Sequence, residues 1–303
     1  MIRLPIKYFV IEGTDLCGKS SLYASLHKFT QFKYNIQDRS TLSMLCYARH
    51  YGRDDVEHRA ELLAELSDLN NFMVVLLPPI EEVVRRFHKR GDDCQDETSL
   101  RNLHKLFTEE VAFIEHMPNV MVIREIRPLA DNTVLVAKCL SDYEDHADGR
   151  RQICQIDKWM AGMETKEAQL QARLVVDPMH SDLFVLTNPY EGSYYRTILQ
   201  DCISVVTAEV AGANPYGQPQ DLTSRRFYYN SSTCISSIHF LPRNGDLKVI
   251  CTLRSTDVVK NGDIDLRFLA HLSAEVPRYF KWPVGKIELT VRWNSAHIRS
   301  DVV

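Results

Sequence analysis

The chain of 303 residues is 45% hydrophobic and 25% charged, and its formal net charge is −4. This composition is typical of a globular protein with one large domain or two ordinary ones, and the negative charge argues against a general nucleic-acid coat. The sequence shows no apolar run of membrane-spanning length, no signal-peptide features and no C-x-x-C pair among its eight cysteines. We therefore expect a cytoplasmic protein without zinc or a disulfide framework.

The first motif lies between a predicted strand and a predicted helix. Residues 6–11 form an apolar run typical of a buried strand, and residues 20–29 have the apolar spacing of a helix. Between them, residues 13–20 spell G-x-x-x-x-G-K-S, the pattern of a loop that cradles phosphates. The order of strand, loop and helix is the one that nucleotide binding requires.

Each residue type in this loop has a defined use in binding a polyphosphate. Gly13 and Gly18 allow a sharp backbone turn that points several N–H groups inward, and the following helix adds the positive end of its dipole. Lys19 would reach the β- and γ-phosphates, and the Ser20 hydroxyl would bind Mg²⁺. The predicted site for ATP and Mg²⁺ comprises Gly13, Asp15, Gly18, Lys19, Ser20 and Ser21.

Polar residues follow the next predicted strand, which spans residues 32–36. Asp38 could act as a base or organise Mg²⁺, and Arg39 could hold a second phosphate, because open α/β sheets bind ligands at the carboxyl ends of their strands. A plain salt bridge at a strand end is the alternative. Helices are predicted over residues 41–50 and 56–69.

A cationic cluster follows the predicted strand over residues 72–77. It comprises Arg85, Arg86, Lys89 and Arg90, at the end of a helix predicted over residues 81–89. In most proteins such a cluster is a solvated face. In kinases, arginines at this place belong to a mobile lid that closes over the transferring phosphates. We favour the lid here.

The first half resembles the thymidylate kinases and their deoxynucleoside monophosphate kinase relatives, over about residues 6–140. The matching pieces are residues 11–20, Asp38-Arg-Ser40 with Tyr47 downstream, and residues 76–92. Predicted helices over residues 100–116 and 131–140 and a strand over 119–123 complete a small parallel sheet wrapped by helices.

This resemblance implies an α/β P-loop kinase domain in which Lys19 and Ser20 handle ATP and Mg²⁺. The groups that it places at the acceptor phosphate or in the lid are Asp15, Asp38, Arg39, Arg85, Arg86 and Arg90. Only eighteen residues separate Lys19 from Asp38, so much of the family's acceptor pocket is missing. The identity of the acceptor therefore stays open.

A charged stretch over residues 142–171 separates the two halves. We expect a kinase-like domain over residues 1–143, a connector over residues 144–175 and a second domain over residues 176–303. The second domain is rich in strands and turns, and residues 234–254 have the pattern of a β-hairpin.

The second domain resembles the thymidylate synthase and deoxynucleotide hydroxymethylase superfamily over about residues 223–298. The matching segments are residues 224–226, 233–247, 253–257 and 294–298. The resemblance implies a truncated α+β domain and a homodimer that shares its nucleotide site between subunits.

By this resemblance Cys234 would attack C6 of a pyrimidine, and Asp265 would read cytosine rather than uracil. The groups that it implies for the phosphate and sugar are Arg225, Arg226, Arg254, Ser255 and His297, with Asp257 in the same motif. Without these flanking matches, Cys234 would be a buried strand thiol.

Folate stays an open question, because the sequence ends at Val303, before the family's folate-covering segment, and shows no clear glutamate for proton relay. The leading hypothesis is a deoxynucleotide kinase fused to a pyrimidine nucleotide module, as would suit a bacteriophage protein in the host cytoplasm. The alternatives are a degenerate protein that binds nucleotides without turnover, and a kinase that acts on a base or sugar within DNA.

Overall fold

The computed structural model describes residues 2–90, 95–145, 167–179, 189–212, 227–258 and 260–297. The chain divides into two compact units. The inner unit is Ile6–Asp145, and the outer unit combines Met1–Pro5 with His146–Val303. The inner unit is thus inserted into the outer one. Its two ends lie side by side, since the backbone N–H of Ile6 donates to the Glu144 carboxylate at 3.1 Å.

The outer unit contains the first strand, β1 (Ile2–Arg3), and the inner unit contains the next four. The inner strands are β2 (Tyr8–Gly13), β3 (Ile36–Asp38), β4 (Asn71–Leu76) and β5 (Val120–Ile123). They form a parallel sheet in the order β3-β2-β4-β5. Parallel strands are covered on both faces, and accordingly Phe9, Val74 and Val75 are fully buried.

Six described helices surround this sheet. They are α1 (Lys19–Phe29), α2 (Thr41–His50), α3 (Val56–Ser67), α4 (Ile80–Arg90), α5 (Glu97–Ile114) and α6 (Leu129–Asp145). Helix α5 begins where the Asp96 side chain accepts a hydrogen bond from the Ser99 N–H at 2.7 Å, an N-terminal cap. The inner unit therefore has the mixed α/β architecture with a parallel sheet that its sequence predicts.

One predicted strand begins later than expected. Residues 32–36 were expected to be extended, but β3 begins only at Ile36. Gln31 and Phe32 have positive φ angles of 52° and 58°, so the chain turns where the strand was expected to start. Apolar composition alone does not reveal such a turn.

The outer unit is built on a second sheet. Its further strands are β6 (Glu167–Val176), β7 (Tyr228–Asn230), β8 (Ile235–Arg243), β9 (Asp246–Leu253), β10 (Thr256–Asp257) and β11 (Ile287–His297). The order is β1-β6-β11-β9-β8-β7, and β10 pairs with β11. The β11–β9 and β11–β10 pairs are parallel, whereas the other pairs are antiparallel.

Two described helices accompany this sheet, α7 (Pro189–Gly212) and α8 (Gly262–Tyr279). Strand β11 alternates between buried and more exposed positions, with Leu289, Val291 and Trp293 in the core. The β8–β9 hairpin predicted from sequence is confirmed. Among the described helices of both units, none is long and apolar enough to cross a membrane.

The structure divides the chain differently from the sequence-based expectation in two places. Residues 1–5, expected in the first domain, belong to the outer unit, where β1 pairs with β6. Residues 167–175, expected in the connector, form most of β6, which also pairs with β11. Both differences arise from pairing between segments distant in sequence, which composition cannot show.

We expect Gly13→Ala to destabilise the protein more than Gly52→Ala. Both glycines have positive φ, at 135° and 63°, and a side chain in such a conformation costs about 1–3 kcal/mol. A Cβ on Gly13 would lie 2.2 Å from the Leu76 carbonyl oxygen, whereas one on Gly52 would meet nothing within 4 Å. Overpacking should add about 1–3 kcal/mol at Gly13 alone. Urea unfolding followed by circular dichroism measures both losses, and equal losses would contradict the close approach of β2 to β4.

Candidate functional site

The G-x-x-x-x-G-K-S segment lies where the sequence predicts, between β2 and α1. Lys19 is the first residue of α1, and its side chain folds back over the loop. Its Nζ donates to the carbonyl oxygens of Gly13 and Thr14, both at 2.7 Å. These partners are neutral, so they hold the ammonium in place without cancelling its charge.

The N-terminus of α1 opens onto the same loop. Gly18 precedes the helix, and its carbonyl accepts the first helical hydrogen bond from the Leu22 N–H. The N–H groups of the first turn therefore have no intrahelical acceptor, which makes a helix N-terminus attractive to anions. The side chains of Ser20 and Ser21 are exposed in this turn.

A cleft of about 630 Å³ lies beside the loop. Its cationic lining comes from Arg85, Arg86, Lys89 and Arg90 of α4 and from Arg127. Its other lining residues are Leu16, Cys17, Gly18, Ser21, Leu22, Leu76, Leu129 and Asn132. The structure thus brings the predicted lid arginines to the predicted phosphate loop, across about 65 residues of sequence.

Glu82 orients two of these arginines. Arg85 donates to both carboxylate oxygens of Glu82 at 2.7 Å, and Arg86 donates from Nε to one of them at 2.7 Å. Arg86 also donates from Nη1 to the Leu16 carbonyl in the loop at 3.0 Å. These hydrogen bonds lower the pKa of Glu82 to about 2, and those from Arg85 have the largest effect. Sequence analysis missed Glu82, although its spacing of three and four residues from the arginines is a usable signal.

The predicted acceptor side contains a second polar cluster. Arg39 donates from Nη2 to the Asp15 carboxylate at 2.6 Å, and the Tyr47 hydroxyl donates to the other oxygen of Asp15. The Arg39 guanidinium also lies 5.4 Å from the centre of the Tyr47 ring. Burial, together with the bond to Asp15, raises the pKa of Tyr47. The structure therefore places Asp15, Arg39 and Tyr47 together, and leaves Asp38 exposed at the end of β3.

Glu12 is a buried carboxylate that sequence analysis missed. Its oxygens accept hydrogen bonds from the backbone N–H groups of Gly13, Ser40 and Ser43 and from both serine hydroxyls. Burial raises the pKa of Glu12, and the hydrogen bonds act in the opposite direction. This carboxylate joins the start of the phosphate loop to the N-terminus of α2. The serine spacing is a weak signal, because any helix start can carry two serines.

The second predicted site lies in the outer unit. Cys234 precedes β8 and is exposed, so the alternative of a buried strand thiol is wrong. Its carbonyl accepts the Arg254 N–H at 2.7 Å, which places the exposed Arg254 and its neighbour Ser255 next to it. Tyr194 was not foreseen: its hydroxyl oxygen accepts the Ile235 N–H at 3.2 Å.

Asp265 lies in the interior rather than at an open surface. It is 5% exposed, and its two oxygens accept hydrogen bonds from the hydroxyls of Tyr195 at 2.6 Å and Thr256 at 3.1 Å. Asp257 is also buried, and it lies opposite His297 in the β10–β11 pair. A base contact by Asp265 stays a prediction, and the structure gives this carboxylate a role in the core.

The two arginines predicted to reach the partner's phosphate site, Arg225 and Arg226, lie outside the described residues. The shared phosphate site therefore stays a prediction.

Within the described ranges, no group of three or more histidine, cysteine, aspartate or glutamate side chains is arranged to hold a metal ion.

The comparisons with known proteins find a likeness among solved structures alone. No protein-family model matches the chain, and no curated protein matches it. Among solved structures, the crystal structure of thymidylate synthase from T4 phage matches at 15% identity, over 50% of this chain and 78% of that one. The TM-score of this match is 0.34, which is too low to carry an argument.

We expect the stabilising effect of Glu82 to disappear in acid. The folded-state pKa of about 2 lies below the ordinary value of 4.5, so the contribution is complete above pH 4.5 and is lost as the pH falls towards 2. Glu82→Gln should therefore be less stable than wild type at pH 7, and the difference should shrink between pH 4.5 and 2. Urea unfolding between pH 7 and pH 2 measures the difference in unfolding free energy between wild type and Glu82→Gln. Glu81→Gln, at an exposed position on the same helix, is the control. A difference that does not change with pH would contradict the assignment.

Proposed function

We propose that the inner unit binds ATP with Mg²⁺ at the loop and transfers its γ-phosphoryl group to a pyrimidine deoxynucleotide. The observation that carries the proposal is the 630 Å³ cleft, in which five cationic side chains and a helix N-terminus meet the G-x-x-x-x-G-K-S loop. A polyphosphate is the ligand whose charge and length suit this arrangement.

Lys19 and the loop supply the phosphate-binding part. The Nζ of Lys19 is held by two neutral carbonyls, and a phosphate oxygen would be a stronger partner because the hydrogen bond would be charge-assisted. The free N–H groups of α1 would face the same anion. Gly13 and Gly18 give the backbone its turn. Asp15 belongs to the same loop, and Ser21 lines the cleft.

The residues present suit a magnesium ion bound together with the nucleotide. Mg²⁺ in nucleotide sites takes few protein ligands and is completed by water and phosphate oxygens. The Ser20 hydroxyl is exposed in the first turn of α1, and the Asp38 carboxylate is exposed at the end of β3. When bound, Mg²⁺ would neutralise part of the phosphate charge.

The lid arginines would act on the transferring group. In the reaction, the bond between the γ-phosphorus and the bridging oxygen breaks, a new P–O bond forms to the acceptor, and ADP leaves. Arg85, Arg86 and Arg90 line the cleft and would stabilise the charge on the equatorial oxygens. With a hydroxyl as the acceptor, Asp38 would accept its proton, whereas an acceptor phosphate is already mostly the dianion at neutral pH. Arg39, oriented by Asp15, would hold the acceptor phosphate.

A second candidate acceptor is a base or sugar within DNA. Tyr47 and Tyr51 are stacked with ring centres 6.3 Å apart, and the Arg53 guanidinium lies 5.3 Å from the Tyr51 ring. Tyr51 is 53% exposed. Aromatic rings and cations at an open edge are features of surfaces that bind single strands.

A screen that compares deoxynucleoside monophosphates with a DNA oligomer, each in the presence of ATP, distinguishes the two acceptors. Binding of ATP without turnover of any acceptor would identify a degenerate nucleotide-binding protein.

We also propose that the outer unit binds a pyrimidine nucleotide. Support comes from the hairpin that places Cys234 next to Arg254 and Ser255, all of them at least partly accessible. Arg254 and Ser255 would hold the phosphate, and His297 the sugar. The same proposal includes a homodimer in which Arg225 and Arg226 reach the partner's phosphate site. A catalytic outer unit would in addition bind folate, and its Cys234 would attack C6 of the pyrimidine.

Lys19→Ala should abolish ATP binding and lower phosphoryl transfer by about a hundredfold or more, because it removes the charge that stabilises the β- and γ-phosphates. Lys28→Ala is the matched control, since Lys28 is an exposed lysine on the same helix. Calorimetry with ATP and an assay for ADP release measure the two effects. Equal ATP affinity in wild type and Lys19→Ala would refute the nucleotide site.

Arg254→Ala should weaken the binding of deoxycytidylate by roughly tenfold to a hundredfold, the usual effect of removing a hydrogen bond to a charged group. Arg292→Ala, at another exposed arginine of the same sheet, should leave it unchanged. Calorimetry with deoxycytidylate is the measurement. Release of tritium from C5 of the nucleotide, lost in Cys234→Ala, would add catalysis to binding. Unchanged affinity in Arg254→Ala would remove the support for a nucleotide at this hairpin.

A further inference from the structure

We propose that Asn132 reads the base of the nucleotide bound in the cleft, by accepting a hydrogen bond from the 6-amino group of adenine. This side chain would make the site prefer ATP to GTP. The inference rests on the proposed function, because it needs a nucleoside triphosphate at the loop. It adds a specificity-determining residue that the sequence motifs do not indicate.

Asn132 lies in the first turns of α6 and lines the same cleft as the loop and the cations. Its neighbour Thr133 fixes this part of α6 against α1, because the hydroxyl oxygens of Thr133 and Ser25 are 2.8 Å apart. Helix α1 contributes Ser21 and Leu22 to the cleft. The position of Asn132 relative to the phosphate loop is therefore set by packing between two helices.

The side-chain oxygen of Asn132 lacks a donor and is shielded from solvent, so a rotation of the partly exposed side chain would present it to a base in the cleft. Its Oδ1 has no hydrogen-bond partner among the described residues. The backbone N–H of Asn132 donates to the Pro128 carbonyl at 3.1 Å, so the main chain is satisfied and the side chain is the exception. A buried acceptor without a donor is costly, and native proteins usually supply a partner from the protein, from water or from a ligand.

The cleft also offers apolar surfaces for a flat base. Leu16 and Leu129 line it with accessible side chains, and Leu129 is 45% exposed although it is apolar. Apolar walls with a few polar groups are typical of sites for small molecules. The cationic residues suit the phosphates, and the leucines and Asn132 suit a base.

The amide matches adenine better than guanine. Adenine presents an amino donor beside a ring-nitrogen acceptor, and an asparagine side chain pairs with both, through Oδ1 and Nδ2 respectively. The distinction holds at the edge of the purine that carries N7, which is the edge that we assign to Asn132. There guanine presents the acceptors O6 and N7, so Oδ1 would face an acceptor in either orientation of the amide. Of the two purines, only adenine satisfies both ends of the side chain at this edge.

Calorimetry on the full chain tests this with ATP, GTP, inorganic tripolyphosphate and the triphosphate of purine riboside, which lacks the 6-amino group. Wild type should bind ATP about tenfold more tightly than GTP or the purine analogue. Asn132→Leu should lose this preference and leave tripolyphosphate affinity unchanged. Asn35→Leu, at an exposed asparagine of the inner unit, is the control and should behave as wild type.

The outcomes separate this inference from the function on which it rests. If neither ATP nor tripolyphosphate binds to wild type, the proposed function fails. If both bind but Asn132→Leu keeps the preference for ATP, the inference is overturned and the orphan oxygen is satisfied by water. If Asn132→Leu does not fold, the wild-type measurements decide: equal affinity for ATP and the purine analogue overturns the inference, and a tenfold preference for ATP supports it.

Discussion

The buried carboxylate of Glu12 is the contact on which the arrangement of the inner unit depends. It is completely buried and accepts hydrogen bonds from Gly13 on one side and from Ser40 and Ser43 on the other. A buried carboxylate with fewer donors would be costly, so its five hydrogen bonds fix the segments that supply them. The phosphate loop and the segment that carries Arg39 are thereby held in one geometry. Under the proposed function, this residue would couple the binding of ATP to the positioning of an acceptor.

Ion pairs orient arginines both in the cationic cleft and on the predicted acceptor side. Arg85 and Arg86 share Glu82, and Arg39 is paired with Asp15. Each ion pair keeps its arginine oriented while leaving part of the guanidinium free for further hydrogen bonds. Arg85 is 63% exposed and Arg39 is 46% exposed, so both can exchange or share partners with an incoming phosphate. Solvent screens the arginine side of each pair, which favours such an exchange, whereas the carboxylates of Glu82 and Asp15 are only 9% and 18% exposed.

The structural features that could be predicted from the sequence are those that depend on local patterns. The loop around Lys19, the cationic helix with Arg86 and the β8–β9 hairpin all follow from spacing within a short stretch of chain. Their predicted elements are present in the structure. The loop and the arginines also share a cleft, as the expected position of a lid requires.

The missed features depend on contacts between distant segments. The pairing of β1 with β6, which makes the inner unit an insertion, has no signature in composition. Glu12 and Asn132 are ordinary polar residues in the sequence, and the burial of Glu12 and of the Asn132 Oδ1 atom becomes evident only in the folded chain. The burial of Asp265 and its hydrogen bonds from the hydroxyls of Tyr195 and Thr256 were likewise not foreseen. Local patterns do not report which polar groups become buried together.

The central claim is that the inner unit binds the triphosphate of ATP at the Lys19 loop. A crystal structure of the full chain with Mg²⁺ and a non-hydrolysable ATP analogue tests it most directly. The account predicts that the Nζ of Lys19 leaves the carbonyls of Gly13 and Thr14 and contacts the β- and γ-phosphates, with Arg86 beside them. A nucleotide bound elsewhere, or a phosphate chain that leaves Lys19 on those carbonyls, would contradict it.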